Sequence, residues 1–172
     1  MRRAQFLFGI LTVLLLSSMV IAQAQAQFAG TWVLDRAQSQ LPAHRGRGPA
    51  APDSQVQPPE VTLTVAQQGN TLKATRTMVR GNQERSLAET YVADGSEQSQ
   101  ATPRGSVTTR AAFEGNRFVV NRTFTTKSEQ GERTMSRESV WTLSPDGKVL
   151  TIDTTFHGSR GDRNMKSVYQ RS

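Results

Sequence analysis

The chain has 172 residues, no cysteine, and 21 basic against 14 acidic residues, a formal net charge of +7. A chain of this length can form one domain with a core of its own. The absence of cysteine excludes a fold that depends on disulfides. The basic residues are scattered and accompany no nucleic-acid motif, so the charge predicts no nucleic-acid partner.

The first 26 residues have the pattern of a secretory signal peptide. Two arginines at 2–3 precede an apolar run at 6–21, and residues 24–26 form a small-x-small cleavage site. A membrane anchor is the alternative, but a polar Ala-Gln repeat ends the run and no basic stop-transfer cluster follows. We therefore expect a mature chain of 27–172, exported to the periplasm or the extracellular space, with no transmembrane segment after cleavage.

Most of the remaining chain has the pattern of an antiparallel β meander. Short segments alternate apolar and polar residues, and glycine-containing turns separate them about every ten residues. The segment 37–59 is instead rich in proline and glycine, cannot bury a continuous apolar face, and is predicted to be a mobile surface loop. The predicted strands are 28–34, 61–65, 72–78, 87–91, 107–113, 118–124, 139–143, 150–156 and 163–171.

Eight to nine strands of this kind predict an all-β fold, an up-and-down antiparallel sheet in a single domain over 27–172. Such a sheet tends to close into a barrel, because closure removes the exposed edges that promote aggregation.

Several short motifs resemble the lipocalin and fatty-acid-binding-protein superfamily, the calycins. The first predicted strand carries Gly-x-Trp at 30–32, as the opening strand of that superfamily does. The segments 30–32, 68–72, 114–116 and 141–148 together are more closely similar to uncharacterised lipocalin-like proteins secreted by bacteria. The resemblance implies a lipocalin-like barrel with Trp32 closing its base. A basic residue of the last strand, such as Arg163 or Lys166, is then expected to stack on that ring.

The last predicted strand gives one candidate binding residue. Its segment 167–171 is similar to the end of fatty-acid-binding proteins, where a tyrosine two residues after an arginine helps to hold a carboxylate. The resemblance makes Tyr169 a candidate ligand-binding residue, with Ser167 at the place of the arginine.

Charged residues interrupt the apolar faces of three predicted strands. Residues two apart point to one face, so Arg76 and Arg122 each share a face with apolar neighbours, and Glu89 shares one with Tyr91. If these faces are interior, the charge left inside is positive and suits a carboxylate or phosphate, which guanidinium groups bind bidentately. These four residues are therefore candidate ligand-binding residues. The alternative is a position at the rim or a neutralised structural network.

Two functions stay open from the sequence. One is an exported barrel that binds a small amphipathic or anionic ligand in its interior. The other is a structural or interaction domain with a filled core, whose surface binds a protein or an envelope component. An outer-membrane barrel is disfavoured because aromatic residues make up only 6% of the chain. No acid-base pair, cofactor motif or metal-ligand spacing is visible, so no enzyme, cofactor or metal is predicted.

Overall fold

The structure is a computed structural model that describes residues 26–41, 58–129, 131–159 and 161–172. The predicted signal peptide, apart from Ala26, lies outside these residues. Most of the predicted 37–59 loop lies outside them as well. In the described part of the chain, no helix has the length and apolar character needed to cross a membrane.

The described residues form ten strands of a single antiparallel sheet, numbered here in chain order. They are β1 (Gly30–Gln40), β2 (Glu60–Gln68), β3 (Thr71–Arg80), β4 (Gln83–Val92), β5 (Asp94–Thr102), β6 (Gly105–Glu114), β7 (Arg117–Ser128), β8 (Gly131–Leu143), β9 (Val149–His157) and β10 (Arg163–Arg171).

The strand order is β4-β3-β2-β1-β10-β9-β8-β7-β6-β5, so the first strand pairs with the last. This arrangement confirms the predicted all-β, up-and-down meander. β4 and β5 are the two end strands of the sheet and are not hydrogen-bonded to each other. The barrel is therefore nearly, but not fully, closed. A single residue, Ala93, connects them, and its backbone N–H donates to the carbonyl of Asn70 at 2.7 Å.

The prediction of eight to nine strands is wrong by one strand. The additional strand, β5, has the polar sequence DGSEQSQAT, and nearly all of its side chains are exposed. It therefore lacks the apolar alternation from which a strand is predicted. Its pairing with β6, in which Gln98 lies opposite Thr109, holds it in the sheet.

The first strand is longer than predicted. β1 continues to Gln40, so residues 37–40 are strand rather than loop. The pairing with β10 shifts register between Asp35 and Gln40. At this irregularity the Asp35 carboxylate accepts hydrogen bonds from the backbone N–H groups of Ala37 and Gln38, at 3.0 and 3.1 Å. The side chain thus satisfies backbone donors that the ladder leaves unpaired.

Aromatic side chains fill one end of the barrel, here called the base, where the β2–β3, β6–β7 and β8–β9 turns lie. Phe28 and Trp32 are fully buried there. The Phe28 ring meets Trp141 edge-on at 6.1 Å, and Phe118 meets Trp141 in the same way at 5.5 Å. Trp32 Nε1 donates to the Phe28 carbonyl at 3.0 Å, which satisfies the indole donor inside the apolar cluster.

A basic residue of the last strand stacks on Trp32 as expected, but it is Arg171 rather than Arg163 or Lys166. The Arg171 guanidinium carbon lies 4.2 Å from the ring centroid. β10 runs antiparallel to β1 and ends at the base, so its last residue, not its first, lies opposite Trp32. Gly30 leaves room for this stack, because a Cβ at that position would lie 2.6 Å from Arg171 Nη1.

Candidate functional site

The inward-facing side chains are arranged in layers along the barrel axis. Toward the end opposite the base, here called the mouth, apolar pairs give way to charged ones and then to apolar ones again. From base to mouth, the cross-strand pairs of β7 and β8 are Phe118–Trp141, Val120–Ser139, Arg122–Arg137 and Phe124–Met135.

The third strand repeats this order. Its inward residues are Leu72 and Ala74 near the base, then Arg76, then Met78 toward the mouth. We call Arg76, Arg122 and Arg137 the arginine layer. The layer lies between the aromatic base and a mouth of mixed character, where Met78, Phe124 and Met135 face inward. Arg85, opposite Met78, and Arg163, opposite Phe156, also occupy inward positions there.

Glu89 of β4 is the acid that meets the arginine layer. One of its carboxylate oxygens, Oε1, accepts a hydrogen bond from Arg122 Nη1, and Arg137 Nη2 lies 3.8 Å from the same oxygen. The other oxygen, Oε2, accepts a hydrogen bond from the Tyr91 hydroxyl at 2.6 Å. The structure therefore brings together three of the candidate residues predicted from sequence, Glu89, Tyr91 and Arg122.

Arg137 belongs to this cluster and was missed in the sequence. It lies directly opposite Arg122 in the β7–β8 register. The predicted strand there began at residue 139, whereas β8 begins at Gly131. The signal that could have found Arg137 is the alternation Met135-x-Arg137-x-Ser139-x-Trp141, which continues the inward face of the same strand.

Arg76 lies on the inward face of β3, between Leu63 of β2 and Leu87 of β4. Its Nε is buried and has no hydrogen-bond partner, and no ion pair involves Arg76 within the described ranges. The Arg122 Nε is also buried without a partner. Buried donors of this kind are costly unless something accepts their hydrogen bonds.

Tyr169 occupies a different part of the barrel. It is buried on β10, opposite Leu34 of β1 and Leu150 of β9, and belongs to the apolar core cluster. In the part of the chain that the structure describes, no hydrogen bond or ion pair joins it to Glu89 or to the arginine layer. A ligand-binding role for Tyr169 stays a prediction.

The charge states of the cluster follow from its contacts. Burial raises the pKa of Glu89, but the Tyr91 hydrogen bond and the charges of Arg122 and Arg137 outweigh burial and hold that pKa below its usual value. Burial, together with the hydrogen bond to Glu89, raises the pKa of Tyr91. At neutral pH Glu89 is therefore a carboxylate and Tyr91 a neutral donor.

The inward face carries an excess of positive charge. On the described strands, Glu89 is the only carboxylate at an inward position of the pairing register. One carboxylate against the three guanidiniums leaves a charge of about +2 at the arginine layer, because arginine stays protonated in proteins. Arg80, Arg85 and Arg163, at inward register positions nearer the mouth, add to the positive excess. The arrangement is suited to binding an anion.

A cleft of about 330 Å³ opens between β4 and β5 and leads to Glu89 and Arg122. Its walls include the polar side chains of Gln98, Gln100 and Thr109. The missing hydrogen bonds between β4 and β5 thus expose the charged cluster to solvent. Within the described segments, no group of three His, Asp or Glu side chains is placed to hold a metal ion.

The fold is similar to that of several solved β-barrel proteins. Zebrafish ileal bile acid-binding protein, complexed with cholic acid, matches with a TM-score of 0.52 and 15% identity over 84% of this chain and 98% of that chain. Human cRBP IV matches with a TM-score of 0.50 and 12% identity over 86% and 99% of the two chains. A mutant of the fluorescent protein UnaG matches with a TM-score of 0.50 and 15% identity over 84% and 96%.

These similarities identify the class of fold, a calycin-like barrel, as the sequence motifs implied. The sequence itself matches no protein-family model and no curated protein. The more specific likeness to bacterial secreted proteins stays a prediction.

Proposed function

We propose that this protein is an exported, non-enzymatic barrel that binds an anionic amphiphile, with the head group held at the arginine layer. The observation that carries the proposal is the unbalanced charge inside the barrel. Arg76 has a buried Nε without a partner, and Glu89, the single inward carboxylate of the described strands, is already occupied by Arg122, Arg137 and Tyr91. An anionic head group would supply the missing acceptors.

Apolar side chains on the mouth side of the arginine layer fit the apolar part of such a ligand. Met78, Phe124 and Met135 face inward between the arginine layer and the mouth. Met78 and Met135 are exposed there, so a bound hydrocarbon chain would cover apolar surface that water now contacts. The solved complex of zebrafish ileal bile acid-binding protein with cholic acid supports the proposal, since a barrel of similar fold holds an acidic ligand.

Export is part of the proposal and is supported by the signal-peptide pattern of residues 1–26. Intact-mass analysis of the protein recovered from the periplasm or the culture medium tests it. The expected mass is that of residues 27–172 without a lipid. A mass corresponding to 1–172, found only in membrane extracts, would contradict export.

Isothermal titration calorimetry of the mature chain with laurate and dodecanol tests the binding function. The two ligands have the same hydrocarbon chain and differ in the charge of the head group. Laurate is expected to bind at one site, about tenfold or more tighter than dodecanol, because only its carboxylate can pair with the guanidiniums. If neither ligand binds, the interior does not hold an amphiphile, and the interaction domain with a filled core becomes the better account.

A further inference from the structure

We infer that the head group bound at the arginine layer carries two negative charges, and that the ligand class is the phosphate monoester of an apolar chain. This inference rests on the proposed function and adds to it the charge and shape of the head group.

The first argument is charge balance. The arginine layer and Glu89 together keep a charge of about +2, since three guanidiniums face one carboxylate. A monocarboxylate would leave one guanidinium charge unbalanced in a partly buried site, where Coulomb energies exceed those in water. A dianion would neutralise the layer without displacing Glu89 from Arg122.

The second argument is the number and placement of donors. Each guanidinium has five N–H groups in a planar fork, and a phosphate monoester presents three terminal oxygens to accept them, one more than a carboxylate. The donors without partners lie on two strands that are not neighbours in the sheet, with Arg76 Nε on β3 and Arg122 Nε on β7. Thr109 lies opposite Arg122 on β6 and lines the cleft, where its hydroxyl adds a neutral donor.

The third argument is the polar route to the site. The cleft between β4 and β5 leads to Glu89 and Arg122, and its walls include Gln98 and Gln100. A doubly charged group is strongly hydrated, and a water-accessible cleft lets it keep part of that hydration when bound. A fully apolar cavity would remove that hydration.

The net charge of Glu89, Tyr91 and the arginine layer stays constant between about pH 5.5 and about pH 8. A phosphate monoester, in contrast, gains its second negative charge near about pH 6. The charged and titratable groups at the site are Arg76 on β3, Glu89 and Tyr91 on β4, Arg122 on β7 and Arg137 on β8. Arg80, Arg85 and Arg163 occupy inward register positions nearer the mouth. The pKa of Glu89 is lowered and that of Tyr91 is raised, so neither changes charge in this interval. A change in affinity that dodecyl phosphate shows in this interval and a singly charged diester does not therefore reports the ligand's second ionisation.

The test compares dodecyl phosphate with methyl dodecyl phosphate, a diester that keeps one negative charge throughout. Both are titrated calorimetrically into the mature chain at about pH 8 and about pH 5.5, below their micelle concentrations. Dodecyl phosphate is expected to bind about tenfold tighter than the diester at the higher pH, and to lose most of this advantage at the lower pH. Equal affinities at the higher pH would overturn the inference.

Two further ligands separate this inference from the proposed function. If laurate binds as tightly as dodecyl phosphate at about pH 8, the dianion inference fails and the proposed function stands. If no amphiphile binds, both fail. Inorganic phosphate is expected to bind much more weakly than dodecyl phosphate, and equal binding would keep a dianion site but contradict the amphiphilic ligand.

A variant on β3 tests whether Arg76 is responsible for the preference for a doubly charged head group. Arg76→Met is expected to reduce the preference for dodecyl phosphate over the diester to about twofold or less. Lys73→Met removes the same charge from an exposed position of the same strand and is expected to leave the preference unchanged. If both variants keep the full preference, Arg76 does not contribute to it and the charge argument fails.

Discussion

Arg122 and Arg137 lie directly opposite each other on neighbouring strands, and the Glu89 carboxylate oxygen Oε1 faces both of their guanidinium groups. Like charges at opposed positions of an antiparallel pair repel each other. Glu89 reaches them from β4 and offsets that repulsion, so it stabilises the barrel and also reduces the positive charge available to an anionic ligand.

Removing the Glu89 charge should therefore have opposite effects on stability and on binding. Glu89→Gln is expected to lower the free energy of unfolding by about 1–3 kcal/mol, because partly buried guanidinium donors lose their acceptor. The same change should tighten laurate binding, since the layer then carries about one more unbalanced charge. Urea denaturation and calorimetry measure the two effects. Glu84→Gln, on the exposed face of β4, is the matched control and should change neither.

Removing the Arg76 charge should have the reverse effects on stability and on laurate binding. Arg76→Met is expected to raise the free energy of unfolding by about 1 kcal/mol, because an apolar chain of similar length replaces a partly buried charge without a partner. Laurate affinity should fall. Chemical denaturation with and without laurate measures both changes, with Lys73→Met as the control. A loss of stability in Arg76→Met would mean that Arg76 stabilises the empty barrel.

The stability of the protein should depend on the ionisation of Glu89 at acidic pH. Its pKa in the folded protein is lowered from the usual 4.5, so its stabilisation is fully present above that value and is lost as pH falls through the lowered pKa. The difference in unfolding free energy between the wild type and Glu89→Gln should thus shrink between about pH 6 and about pH 3. A difference that stays constant over this range would show that the Glu89 charge does not stabilise the fold.

The aromatic base should account for much of the stability. Phe28 is fully buried against Phe118 and Trp141, so Phe28→Ala is expected to cost about 3–5 kcal/mol. Phe156 is 37% exposed near the mouth, and Phe156→Ala should cost less than half as much. Equal losses would indicate that the core extends to the mouth and leaves no space for a ligand.

Strand alternation explains how much of this arrangement is predictable from sequence. The period of two places Arg76, Glu89 and Arg122 on inward faces, because each lies between apolar residues two positions away. It does not reveal that Glu89 contacts Arg122, which is 33 residues away, since that contact depends on the curvature of the whole sheet. β5 could not be predicted because its polar sequence, which pairs with β6, carries no apolar period.

The central claim is that the arginine layer holds the anionic head group of a ligand, and one calorimetric comparison tests it most directly. Laurate is titrated into the Arg76→Met/Arg122→Met variant and into Lys73→Met/Lys127→Met, which removes two positive charges from exposed positions of the same two strands. The first variant should remain folded and bind laurate at least about tenfold more weakly than the wild type, while the second should bind within about twofold of it. Equal affinities in both variants would contradict the claim.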